Sequence, residues 1–176
     1  MMGSGRGGSY SGSGNGDNSG SQPYAPTYHV TSNMLAQDKQ DSDIYNPKTG
    51  YFKNPTATDL NNAIEGNRIV FNGKSIDGHF TYVMDTNGNI VFGKRQNPND
   101  TSKRCPHPTL VGGKDPEVQC AGIIHFHKGR IVSVDERSGH FKPNSKSLDK
   151  VDSVLSKLYN KNPDIFDRDS KWRKKK

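Results

Sequence analysis

Long apolar runs are missing from this 176-residue chain, in which hydrophobic residues make up 29% and the mean hydropathy is −0.94. No stretch approaches the ~18 residues of a membrane span, and the first twenty residues lack the apolar middle of a secretory signal. A membrane-spanning helix is therefore not expected. Cysteine is scarce as well. Cys105 and Cys120 are the whole supply, and neither belongs to a Cys-x-x-Cys or a Cys/His zinc spacing, so a structural zinc site is not expected. Spacing alone does not establish a disulfide, and the two thiols read as free and structural. An acidic balance is also absent. The formal charge is +7, which ordinarily points to a polyanionic partner, but Lys171, Arg173, Lys174, Lys175 and Lys176 carry five of those seven charges. That run reads as a solvated tail. Lys94-Arg95 and Lys103-Arg104, around an expected loop, are the better phosphate-facing candidates.

What is present is organised in short pieces. Residues 1–22 hold eight glycines and six serines, a composition unable to bury enough surface to offset ordering entropy, and read as a linker. Residues 24–54 mix aromatics with turn formers and read as an irregular, partly packed arm. A short helix is expected at 57–65, from Pro55-Thr56 to Gly66, with Leu60, Ala63 and Ile64 on one face. Strand signals follow at 68–72, 79–85 and 89–94, the last two joined across Thr86-Asn87-Gly88. A second hairpin, 121–127 with 130–136, turns at Lys128-Gly129. Pairing His127 with Arg130 places Ile124, Phe126 and Ile131 on one face and His125, His127 and Arg130 on the other. An amphipathic helix at 148–160 follows, with Ser147 as its N-cap and Asn162-Pro163 as its stop. The pattern predicts a single α+β domain over 23–167, mainly antiparallel, with 168–176 as a basic tail.

Histidine is the side chain best suited to proton transfer near neutrality, and five of the six fall within the β-rich region. Two stand out by context. His107 lies between Pro106 and Pro108, before a strand-like step, Thr109-Leu110-Val111, into the turn Gly112-Gly113. His140 follows Ser138-Gly139 and precedes Phe141-Lys142-Pro143. Two imidazoles and a lysine suffice for phosphodiester cleavage without a metal: one His takes the proton of a ribose 2′-hydroxyl, the other protonates the leaving oxygen, and the cation stabilises the extra phosphate charge. His107, His140, Lys142 and Ser138 are the catalytic candidates. His125, His127, Arg130, Lys94, Arg95 and Arg104 are the substrate-binding candidates. Asp135 and Glu136 are adjacent on an expected strand and so point to opposite faces, which does not favour shared chelation of one ion. No metal or other cofactor is expected.

The segments Tyr82-Val83-Met84-Asp85, Gly88-Asn89-Ile90, His107-Pro108-Thr109-Leu110-Val111-Gly112-Gly113, Ala121-Gly122, Gly129 to Asp135, and Ser138-Gly139-His140-Phe141-Lys142-Pro143 together resemble the C-terminal toxin segments of Rhs-type bacterial polymorphic toxins. The likeness covers about 24–145. It implies a secreted effector of interbacterial antagonism, delivered by a contact-dependent or type VI-like system into the cytoplasm of a target bacterium and neutralised by a cognate immunity protein. The same succession is similar to a domain of plant proteins carrying IQ calmodulin-binding motifs, although no IQ motif is evident here. Related segments often read Ala-Gly-Glu where this chain has Ala121-Gly122-Ile123, which argues against a catalytic acid at that point. Two other functions stay open. Tyr28-His29-Val30-Thr31-Ser32 resembles the Tyr-His-x-Thr start of some ADP-ribosyltransferase toxins, which would make NAD the substrate, with Glu117 or Glu136 as its glutamate. A non-catalytic binding module, with Ser138 to Pro143 as a structural corner, is the third.

Overall fold

The computed structural model describes residues 27–97 and 100–174. The Gly/Ser-rich lead-in, the last two lysines and the side chain of Lys103 lie outside the described residues. The arm opens with β1 (Tyr28–His29), α1 (Ser32–Lys39), and the small hairpin β2 (Tyr45–Asn46) and β3 (Gly50–Tyr51). Next come β4 (Thr58–Asp59), a 3-10 turn (Leu60–Ala63), β5 (Ile64–Glu65), β6 (Arg68–Phe71) and β7 (Lys74–Ser75). The centre of the molecule is β8 (Gly78–Asp85) and β9 (Ile90–Gly93), followed by β10 (Gln96–Asn97), β11 (Asp100–Arg104) and a 3-10 turn (His107–Leu110). The chain ends with β12 (Glu117–His127), β13 (Arg130–Val134), α2 (Ser145–Lys161), a 3-10 turn (Pro163–Ile165) and α3 (Lys171–Lys174). This is the expected α+β class.

The main sheet has the order β1-β12-β8-β9-β4, with β13 also paired to β12, and every pairing is antiparallel. Both expected hairpins form. Thr86-Asn87-Gly88 closes β8–β9 with Gly88 at φ +87°, and Lys128 and Gly129 both take positive φ (+49° and +82°), the backbone of a type I′ turn. His127 pairs with Arg130 and Phe126 with Ile131 as the loop dictates. A register shift then sets His125 opposite Ser133 rather than Val132.

One sheet face carries Tyr82, Phe80, Phe92, Ile124 and Phe126 against the stripe Val151, Leu155 and Tyr159 of α2. The other carries Val83, Ala121 and Val91 in a smaller cluster with Leu110 and Phe141. This second face builds the site.

Four local expectations need correction. Residues 57–65 form two short strands around a 3-10 turn, because Asp59 caps Asn61 through its side chain and β4 is drawn into the sheet by β9. Thr109-Leu110-Val111 belongs to the 3-10 turn at His107 and its end rather than to a strand. Helix α2 starts one turn earlier than expected, capped by Asn144, whose side chain accepts from the Ser147 amide; Ser147 itself is buried. The basic tail is not simply solvated: Trp172 is buried with its ring centroid 5.2 Å from that of Phe166, and Lys171 meets Asp152 at 2.5 Å. Both cysteines are free and buried. Among the described residues no helix is long and apolar enough to cross a membrane.

Candidate active site

Leu110 and Phe141 plug into the same apolar cluster, and each fixes the turn that bears a histidine. Leu110 ends the 3-10 turn begun by His107, where the Pro106 carbonyl accepts from the amide and hydroxyl of Thr109 (2.9 and 2.7 Å). Phe141 follows His140 in a turn where the Ser138 hydroxyl accepts from the Phe141 amide at 3.2 Å and the Ser138 carbonyl accepts from the Lys142 amide at 2.8 Å. Thus two histidines thirty-three positions apart are brought to one face of the sheet. Sequence context singled out both.

His107 is 8% exposed and donates through Nε2 to the Gly122 carbonyl at 2.8 Å, which leaves Nδ1 as the unprotonated nitrogen of the neutral ring. Burial pushes its pKa down to about 4, helped by the charges of His140 and Arg95 and opposed by the Gly122 hydrogen bond and by Asp135. His140 is held differently. Its Nε2 lies 2.8 Å from Oδ2 of Asp38, a carboxylate with no exposed surface that also accepts from the Tyr51 hydroxyl at 2.7 Å and, on Oδ1, from Arg104 at 3.3 Å. Burial raises the Asp38 pKa, but the hydrogen bonds from His140 and Tyr51 and the charges of His140 and Arg104 outweigh it and set it below the usual carboxylate value. Burial and the neighbouring Asp38 carboxylate raise Tyr51, which stays a neutral donor.

Asp38 and Tyr51 were not among the sequence candidates. Both come from the arm. Helix α1 carries Asp38, and the β2–β3 hairpin presents Tyr51 because Gly50 and Gly113 pack backbone to backbone: a Cβ on Gly50 would sit 2.2 Å from the Gly113 carbonyl carbon. Tyr51 and Gly113 exchange amide hydrogen bonds at 2.8 and 3.0 Å, with Gly112 and Gly113 at positive φ. The Gly-Gly signal was visible in the sequence; its partner was not. The Thr31 amide donates to the His140 carbonyl at 2.8 Å, closing the arm over the site.

The remaining candidates divide. The charge of Arg95 bears on His107, and Arg104, which contacts Asp38, sits with the histidine pair. Lys94 does not: its ammonium lies 5.8 Å from the centroid of the Phe71 ring, on the α2 side of the sheet. Lys142 is exposed with φ +47°, and Ser138 uses its hydroxyl to hold the turn. Arg104, on the carboxylate that holds His140, is a second candidate beside Lys142 for charge stabilisation, and the Ser138 hydroxyl holds the turn that bears His140. His125, His127 and Arg130 lie on the same sheet face as the site but further along the strands. His29 is half exposed on β1, with Asp115 at 2.8 Å and Glu117 at 3.6 Å from its two ring nitrogens. Glu136 is half-buried beside Asp135 at the end of the second hairpin. Among the described residues no group of three His, Cys, Asp or Glu side chains is arranged to hold a metal ion.

Acid should weaken the fold in two steps. A buried His107 that binds its proton only near pH 4, against about 6.5 when unfolded, favours the native state fully above 6.5, and that share is lost as pH falls from 6.5 toward 4. The loss is about 3 kcal/mol over that window. The lowered Asp38 acts below it, as pH falls under its unfolded value of 3.8. Urea unfolding at pH 7 and pH 4.5 should show the first step, and His107→Gln, which keeps a donor for Gly122 without titrating, should reduce it.

No family model, no curated protein and no solved structure matches this chain.

Proposed function

We propose that this chain is a ribonuclease toxin domain of the Rhs type that cleaves RNA by internal transesterification. The reading rests on one observation: two buried histidines share a sheet face, one bound to an ionised carboxylate and the other presenting a bare Nδ1. His107 Nδ1 takes the proton of a ribose 2′-hydroxyl, whose oxygen attacks the adjacent phosphorus. The bond to the 5′-oxygen breaks, and protonated His140 delivers a proton to that leaving oxygen, giving a 2′,3′-cyclic phosphate and a 5′-hydroxyl. The negative charge of a bound phosphodiester opposes the burial that lowers His107 and so makes it a better base. Asp38 orients His140 and compensates the charge of its protonated ring, while Arg95 and Arg104 face the phosphate.

The deciding experiment incubates the purified chain with total RNA in EDTA. Wild type should yield cyclic-phosphate ends, and His140→Ala should slow the reaction by about 10²–10⁴-fold; intact RNA at high excess of folded wild type rejects the reading. The motif resemblance adds delivery into a rival bacterium and a cognate immunity protein. Expression in the bacterial cytoplasm should therefore arrest growth with wild type and not with His140→Ala. If alanine at His107, His140 and Lys142 lowers only stability, the binding-module reading takes its place. The NAD reading has one observation in its favour, the approach of His29 to Glu117. Loss of NAD on incubation with the protein would select it.

A further inference from the structure

On the face that carries the histidine pair, β8 runs Val83, Thr81, His79 and β12 runs Ala121, Ile123, His125, because alternate residues of a strand share a side. The apolar cluster covers Val83 and Ala121. Beyond it Thr81 is still buried and tied to the Gly93 carbonyl at 3.1 Å, Ile123 is half-buried, and the face opens at His79 and His125, which are paired across the strands and stack with ring centroids 4.0 Å apart and planes 7° from parallel. His79 is exposed, and the residue paired with His125 on its other side is the small, exposed Ser133. From Val83 to His79 is about 13 Å along the strand, short enough for one oligonucleotide to touch both ends.

We propose that the stacked His79–His125 pair is a platform for an unpaired nucleobase beside the scissile phosphodiester, which makes single-stranded RNA the substrate. This rests on the ribonuclease reading and specifies what that site accepts. Parallel rings at stacking distance, with an exposed ring at one end and a serine at the other, can be extended by a further flat ring. A base within a duplex already has both faces covered by its neighbours, so only an unpaired one can join. Arg130, exposed and paired with His127 across the hairpin, supplies a cation for the backbone of the same strand, while Asp77, 3.5 Å from His127 Nδ1, holds that ring to one side. A merely structural cross-strand pair would serve as well buried or edge-to-edge; in this one the rings are parallel and His79 is exposed.

The test is the affinity of the full chain for a fluorescent, uncleavable 2′-O-methyl oligoribonucleotide, alone and annealed to its complement. Wild type should bind the single strand more tightly than the duplex. The double variant His79→Ala/His125→Ala should weaken single-strand binding by about tenfold or more, and His79→Phe with His125 intact should retain it, since a phenyl ring also stacks. Equal binding of single strand and duplex, or a double variant that folds and binds like wild type, overturns the proposal. Binding that discriminates strands without any cleavage of natural RNA leaves the platform standing and removes the ribonuclease reading. Cleavage with binding insensitive to both histidines does the reverse.

Discussion

Replacing Asp38 with asparagine should slow RNA cleavage by about 10²–10⁴-fold, the range associated with a lost general acid. All three groups around this carboxylate are donors: His140 and Tyr51 at Oδ2 and Arg104 at Oδ1. A carboxylate accepts at both oxygens, whereas an amide must turn its NH2 toward one side and set a donor against a donor. If the NH2 faces His140, the ring must accept at Nε2 and carry its proton at Nδ1, so the ring can no longer be protonated against a compensating charge. If it faces Arg104, the guanidinium meets a donor and keeps only Asp41, at 3.7 Å, as a carboxylate partner. The stability loss should be about 1–3 kcal/mol, small enough for the variant to be purified folded. Tyr51→Phe removes one hydrogen bond from the same oxygen and keeps the charge, so it should cost about 1 kcal/mol and much less activity. Single-turnover cleavage alongside urea unfolding measures both effects. An Asp38→Asn variant as fast as wild type would remove Asp38 from the mechanism.

Gly122→Ala should have the larger effect on stability, about 3 kcal/mol or more. A Cβ at that position would lie 2.0 Å from the Asp135 carbonyl oxygen and 2.6 Å from its carbon, so backbone must move. Asp135 is poorly placed to yield. Its amide donates to the Ile123 carbonyl, its Oδ1 accepts from the amides of Ile123 and Arg137, and its carbonyl accepts from Tyr82 at 2.6 Å. The same glycine offers the carbonyl that holds His107, so the variant should lose activity along with stability. Gly139→Ala is the matched control. It alters a glycine of the same motif set, next to His140, yet a Cβ there meets nothing within 4 Å, and the change should stay within about 0.5 kcal/mol. Thermal unfolding of the two variants separates a glycine needed for close approach from one that is not; equal destabilisation would show that the Asp135 crossing is not the reason for Gly122.

Hairpins and the second helix were legible because their signals are local. A Gly with positive φ between β-forming runs fixes a turn, the turn fixes register, and a stripe at helical spacing fixes the buried face of α2. Helix α1 was not legible, since Ser32-Asn33-Met34-Leu35-Ala36-Gln37-Asp38-Lys39 is polar, has no side-chain cap, and buries Asp38 rather than an apolar stripe. Leu60, Ala63 and Ile64 looked helical, but β9 recruits Thr58 and Asp59 into the sheet first. Trp172 was hidden in a run of cations whose charge argued for solvent, although its ring packs on Phe166.

The sequence by itself determined the α+β class, the two hairpins and the faces of the second, and it singled out His107 and His140 as candidates, because each reading depends on near neighbours in the chain. Only the tertiary structure decided what those histidines touch. Asp38 reaches His140 across 102 positions, and the Gly122 carbonyl meets His107 across 15. No periodicity records such meetings, because they arise from the packing of Leu110 and Phe141 into one cluster and the closing of the arm over it. Proximity in space is set by the sheet, and a neighbour in the chain has no privileged claim to it.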